Sequence, residues 1–316
     1  MIRAAAFWTT AAGQGALREE ALPEPGPGQV LIRALASGVS RGTEALVFAG
    51  RVPPEEYDRM RAPLMDGTFP FPVKYGYSTV GACENGQRVF VLHPHQDRFL
   101  APATMCVAVP DRVPTGRAVL AANMETALNI CWDAAPLMGE CVLVIGAGVV
   151  GLLTASLLAR VPATRVTVVD INPARAALAR NFGCAFALPD VAPDGQELIV
   201  HTSASEAGLG LALDRAAFEA RIVEASWYGD ASPAVPLGGS FHSRRLRLIA
   251  SQVGVVSPGM RGRRSHADRL AMALARLDDP AYDALLEGPT KFQDLPAAMP
   301  GILAPGGLCH VITYET

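Results

Sequence analysis

Gly146-Ala-Gly-Val-Val-Gly151 lies between the apolar run 141–145 and the apolar stretch 149–159, and an acid, Asp170, closes the next apolar run about 20 residues later. Few arrangements satisfy that pattern. Gly146 permits a tight turn out of a strand, Gly148 lets a ligand approach the backbone, and Gly151 lets the new helix pack closely on the strand it has left. The first helical N–H groups then point at whatever fills the turn, and the helix dipole favours an anion there. A carboxylate at Asp170 is placed to accept hydrogen bonds from ribose hydroxyls. Strand, turn, helix and acid in register therefore predict a dinucleotide site built from Gly146, Gly148, Val149, Val150, Gly151 and Asp170.

The surrounding pattern agrees. Runs at 141–145, 166–169, 197–202, 222–226 and 246–250 read as strands, and 149–159 and 173–182 as helices, with Asn172-Pro173 a good helix start and Gly183 a stop. Alternating strands and helices predict a doubly wound parallel sheet of Rossmann type, covered on both faces. Asp170 repels a 2′-phosphate, which favours NAD(H) over NADP(H). Arg175, five positions on, is the residue that would reverse that preference.

Before this region the period changes. Residues 4–8, 29–36, 88–92 and 104–109 read as short strands broken by Gly and Pro, as in Pro23-Glu-Pro-Gly-Pro-Gly28. The stretch 50–72 is too long and polar for a simple connection and reads as a surface lobe or lid. Near the C-terminus a helix, Gly306-Gly307 and the strand 308–313 suggest a return to the first domain. We expect a β domain over 1–115, a dinucleotide-binding domain over 116–265 and a returning segment over 266–316.

With 316 residues, half of them apolar and only 18% charged, the chain can bury two cores and is not disordered. A formal charge of −3 gives no basic footprint for nucleic acid. The run 141–153 is too short to span a membrane, and the N-terminus lacks a secretory apolar region, so a cytoplasmic protein is expected. Six separated cysteines without a C-x-x-C read as reduced thiols.

Pro25-Gly-Pro-Gly-Gln-Val-Leu-Ile-Arg33, Gly38-Val-Ser-Arg-Gly-Thr-Glu44, Gly76-Tyr-Ser-Thr-Val-Gly81, Thr126-Ala-Leu and the 142–151 segment together resemble the medium-chain dehydrogenase/reductase superfamily, over nearly the whole chain. The resemblance implies a GroES-like β domain beside the Rossmann domain. Ser40-Arg-Gly-Thr-Glu44 is similar to the zinc-less branch that includes the bacteriochlorophyllide hydroxyethyl dehydrogenases. The superfamily resemblance also implies Arg41 on the cofactor pyrophosphate and Thr126 at the nicotinamide, and Ser203, just after a strand at the carboxyl edge of the expected sheet, is a candidate backbone contact with the cofactor.

In the zinc enzymes of this superfamily the metal is held where this chain has Ser40, Tyr77 with Ser78, and Ala122. Those side chains do not make a Zn²⁺ site, so no metal is expected. His93, His95 and Glu125 remain as metal-capable groups, but Pro94 disturbs the strand geometry that would aim both imidazoles one way. Without metal, side chains must polarise a carbonyl and move a proton, and the resemblance points to Tyr77, at the place of the family's metal-binding His, Thr43, near its proton-relay hydroxyl, with Glu44 beside it, and His93, at a substrate-lining position. The expected activity is metal-free hydride transfer between NAD(H) and an alcohol, carbonyl or conjugated carbonyl. The alternative is a non-catalytic nucleotide-binding protein on the same fold. A small-molecule substrate is the expected partner, with a homodimer as a candidate assembly.

Overall fold

The computed structural model describes residues 2–315. It divides into two compact units, one running to Ala122 and resuming at Leu270, the other comprising Asn123–Arg269.

The second unit is built on a six-stranded sheet in the order Ala185–Ala187, Arg165–Val169, Cys141–Ile145, Gln196–His201, Ala216–Glu224 and Arg247–Ala250. Every neighbouring pair in it is parallel. Cys-Val-Leu-Val-Ile at the centre is buried at four of its five positions, as a strand covered on both faces must be. Leu143, Ile145, Val169, Ile199, Leu213 and Ile222 form the core of this unit. The helices Val149–Leu158 and Glu206–Arg215 follow the two central strands. The turns into both helices therefore leave the sheet at its carboxyl edge, where open α/β sheets bind ligands. The segment read as one helix over 173–182 is a 3₁₀ turn, Pro173–Arg175, running into an α-helix, Ala176–Asn181, with Asn172 accepting from the Ala174 N–H.

The first unit is mainly antiparallel. Its larger sheet runs Leu286–Lys291, Cys309–Thr313, Gln29–Val39, Thr79–Cys83, Arg88–Val91 and Val107–Ala108, with Arg98–Pro102 also paired to Gln29–Val39. The C-terminal strand lies beside Gln29–Val39, antiparallel, with Ile312 opposite Ser37. Sequence reading missed Arg98–Pro102, and it drew one strand over 104–109 where the chain makes a 3₁₀ turn, Ala103–Met105, and a two-residue strand. The lobe at 50–72 contains little regular structure. It is tied down by rings: Tyr57 meets Phe69 at 5.6 Å, Phe69 meets Tyr75 at 5.8 Å, and Tyr75 meets Tyr77 edge-on at 6.0 Å. Such pairs contribute about 0.5–1.5 kcal/mol each beyond burial. Among the described residues, no helix is long and apolar enough to cross a membrane.

Candidate functional site

In the second unit, the chain leaves Cys141–Ile145 through Gly146, whose φ of +108° favours glycine. Gly151 sits one helical turn on. A Cβ there would collide with the Gly146 carbonyl oxygen and come within 2.7 Å of Thr202 Oγ1. At Gly148, the N-cap of the helix, a Cβ would meet nothing within 4 Å. Gly151 is therefore a packing glycine, and Gly148 borders open space in front of the helix N-terminus.

Asp170 faces the same turn. Its carboxylate accepts from the Ala147 N–H at 2.7 Å and the Asn172 N–H at 2.8 Å, which fixes it beside the glycines. Val149 and Val150 are half-buried in the first helical turn, and Arg175 is half-buried on the Pro173–Arg175 turn. This cradle of backbone donors and one fixed carboxylate suits a pyrophosphate with its adjoining ribose. Thr126 is half-buried on the helix Ala121–Ala134.

In the first unit, three of the four expected chemical groups come together. Ser40 caps the helix Arg41–Phe48, so Thr43 and Glu44 lie in its opening turns. Tyr77 stands on the segment before the strand Thr79–Cys83, with the hydroxyls of Ser40 and Thr43 in hydrogen-bond reach of its phenol. Burial, then the nearby Glu44 charge, push the Tyr77 phenol up to about 12, against the opposing pull of those two hydroxyls. It is a neutral O–H donor throughout the physiological range.

Glu44, only 4% exposed, is held from two sides. Ser40 N–H donates to one oxygen at 2.7 Å, and His95 Nε2 lies 2.9 Å from the other. His95 Nδ1 is 2.8 Å from Ser37 Oγ, which is 2.8 Å from the Tyr314 hydroxyl. With Glu44 ionised, the proton directions follow: Tyr314 donates to Ser37, Ser37 to Nδ1, and Nε2–H to Glu44.

His93 goes elsewhere. Its ring stacks on Phe99 at 3.7 Å, and Nδ1 lies 2.9 Å from the Pro94 carbonyl oxygen. Burial pushes its pKa down to about 3, so its environment is that of a neutral packing group rather than an acid working near neutrality. The histidine in contact with Glu44 is His95, two residues on. The His-x-His pattern flagged the pair, but Pro94 between them breaks strand alternation, and the choice between the rings depends on Phe99, a few residues on, and on Glu44, 51 residues away in sequence.

Arg41 lines an open cavity of about 340 Å³ with Glu287, Gly307 and His310, and its guanidinium donates to the Ile302 carbonyl oxygen. Ser203 is exposed just beyond the strand Gln196–His201, its hydroxyl bonded to His201, a residue that sequence reading did not single out.

The donors do not suit zinc. At the three places the superfamily uses, this chain offers the hydroxyls of Ser40, Tyr77 and Ser78 and the methyl group of Ala122. Glu125 is bound to Arg269 Nε at 3.0 Å, His95 to Glu44 and His93 to Pro94. Among the described residues, no group of three or more His, Cys, Asp or Glu side chains is arranged to hold a metal ion.

No protein-family profile matches the chain. An L-threonine 3-dehydrogenase of Legionella pneumophila (strain Corby) is 32% identical over 103 residues, 32% of this chain and 30% of that protein. The match thus spans less than a third of the relative's length. Similarity to solved structures extends end to end. A short chain alcohol dehydrogenase from Escherichia coli CFT073, complexed with NADH, superposes with a TM-score of 0.78 at 17% identity, covering 98% of this chain and 99% of that one. A protein from Sinorhizobium meliloti 1021 assigned as a zinc-binding dehydrogenase, bound to NADP, gives 0.79 at 16% identity, covering 99% and 100%.

Proposed function

We propose that this chain, which has the medium-chain dehydrogenase/reductase fold, is a nicotinamide-dependent oxidoreductase acting without metal on an alcohol, carbonyl or conjugated carbonyl. The observation that carries this reading is the joint geometry of Gly146, Gly148, Gly151 and Asp170, which suits a dinucleotide and little else. When bound, the nicotinamide supplies or takes the hydride. Gly148 and the first-turn N–H groups receive the pyrophosphate, and Asp170 receives the ribose hydroxyls, which favours NAD(H).

In the first unit, the Tyr77 O–H bonds to the reacting oxygen of the substrate and stabilises the charge that develops on it. Ser40 and Thr43 orient the phenol. Glu44, locked between the Ser40 N–H and His95, takes up or releases the proton, and His95 holds that carboxylate in place. Arg41 binds the anionic backbone of the cofactor, with Thr126 and Ser203 as further cofactor contacts. The substrate class rests on the kind of oxygen chemistry a neutral phenol beside hydroxyls can serve.

NADH-linked absorbance change with a panel of aldehydes, ketones and enones tests the reading. Tyr77→Phe is expected to lower kcat by ~10²-fold or more with NADH affinity nearly unchanged, since general acid help typically contributes 10²–10⁴-fold. Near-native turnover in Tyr77→Phe removes the phenol from the reaction. NADH binding with no turnover on any of the panel favours a nucleotide-binding protein without catalysis.

A further inference from the structure

At the carboxyl edge of the six-stranded sheet, a second set of side chains is arranged for chemistry that hydride transfer does not require. His201 ends the strand Gln196–His201 and is fully buried. Its Nδ1 lies 2.6 Å from Glu224 Oε2, at the end of the neighbouring strand, and its Nε2 lies 2.6 Å from Ser203 Oγ. Ser203 itself is exposed.

The proton positions in this cluster are determined by its partners. Glu224 also accepts from the Ser226 N–H at 2.8 Å and from the Tyr228 hydroxyl at 3.1 Å. With a neutral His201 whose Nδ1–H is donated to Glu224, Nε2 is left as the acceptor for the Ser203 hydroxyl. At the other end, Gly208 N–H donates to Ser205 Oγ at 3.1 Å, and Ser205 Oγ is 2.8 Å from Ser203 Oγ. Ser205 therefore donates to Ser203, and Ser203 donates to His201. Ser203 is exposed as a residue, and its oxygen, accepting from Ser205 and donating to His201, keeps one lone pair unused.

We propose that Ser203 is a base-activated nucleophile, with His201 as its base and Glu224 as the residue that positions His201, and that it accepts acyl groups from activated carboxylic esters. A nucleophile, a base in contact with it and a third group fixing the base's tautomer are the signature of such a site. Space is kept for it by Gly208, where a Cβ would lie 2.5 Å from Ser203 Oγ and 2.6 Å from His201 Nε2. In the acylation step, Ser203 Oγ forms a bond to the ester carbonyl carbon as its proton passes to Nε2. The C–O bond to the alcohol breaks, and the alcohol leaves with that proton. Water then hydrolyses the acyl-serine, with His201 again as base, and no oxidant or reductant is needed.

The test uses the full chain without added nucleotide, treated with a fluorophosphonate and mapped by peptide mass spectrometry. In that reaction the Oγ–P bond forms, the P–F bond breaks, and the serine proton leaves with fluoride. We expect an adduct on Ser203 and none on Ser205 or Ser226, the neighbouring serines that lack contact with Nε2. Hydrolysis of p-nitrophenyl acetate should fall by ~10²-fold or more in both Ser203→Ala and His201→Gly. Added imidazole should restore activity to His201→Gly but not to Ser203→Ala, a rescue that a merely structural histidine would not give. No adduct on the native chain, or adducts spread evenly over the three serines, overturns the proposal. So does hydrolysis that survives Ser203→Ala. The adduct map on the native chain stands even if a variant fails to fold.

Discussion

Asp170 uses both carboxylate oxygens on backbone N–H groups, of Ala147 and Asn172, before any ligand arrives. Its position is thereby fixed, and in the proposed reading its charge faces the cofactor's ribose. A fixed negative charge repels a 2′-phosphate more effectively than a mobile one, because it does not swing aside. NADH is therefore expected to bind at least about tenfold more tightly than NADPH, about 1.4 kcal/mol. Asp170→Ser should narrow that gap, read by fluorescence titration of both cofactors. Native preference for NADPH would instead give control of the pocket to a basic group such as Arg175. The two histidines around Pro94 show the same dependence on immediate surroundings. Phe99 makes one a stacking partner, and Glu44 makes the other part of a hydrogen-bonded network.

At the level of the element, the glycine turn separates two functions that a motif compresses into one string. Gly151 serves the contact between helix and strand, whereas Gly148 borders open space, which the proposed reading gives to the cofactor. Gly151→Ala pushes a methyl group into backbone, which the turn relieves only by moving. We expect a loss of about 1–3 kcal/mol in stability, with cofactor binding lost alongside it. Gly148→Ala adds a methyl group where nothing stands, at φ −77° and ψ −178°, values that alanine adopts. Its melting temperature should stay near native while cofactor affinity falls. Calorimetry and titration on both variants check this, and equal stability losses in the two would contradict the assignment. The helix Arg41–Phe48 is economical in the same way. One carboxylate, Glu44, bonds to its N-capping residue and also joins the His95 network.

Across the whole molecule, the metal question turns on residues from separate stretches of the chain. Ser40, Tyr77 and Ala122 bring no thiolate, imidazole or carboxylate, and the nearby acids and histidines have partners of their own. Purified protein is expected to contain less than ~0.1 zinc per chain, with activity unaffected by a chelator. Elemental analysis giving about one zinc per chain, removed together with activity, overturns that. Glycine spacing, apolar periodicity and the acid at Asp170 made the parallel sheet and its turn legible in the sequence, because local backbone needs and burial on both faces leave short-range marks. The strand Arg98–Pro102 left no such mark, since its pairing with Gln29–Val39 is a long-range event. Tyr77 and Thr43, with Glu44 beside Thr43, could be singled out in the chain because the resemblance to the dehydrogenase superfamily marks their positions. Their clustering, the choice of His95 over His93, and the Ser203–His201–Glu224 line depended on the tertiary structure. Hydrogen-bond direction and desolvation depend on which groups meet across sheet and turn, and one-dimensional spacing does not carry that information.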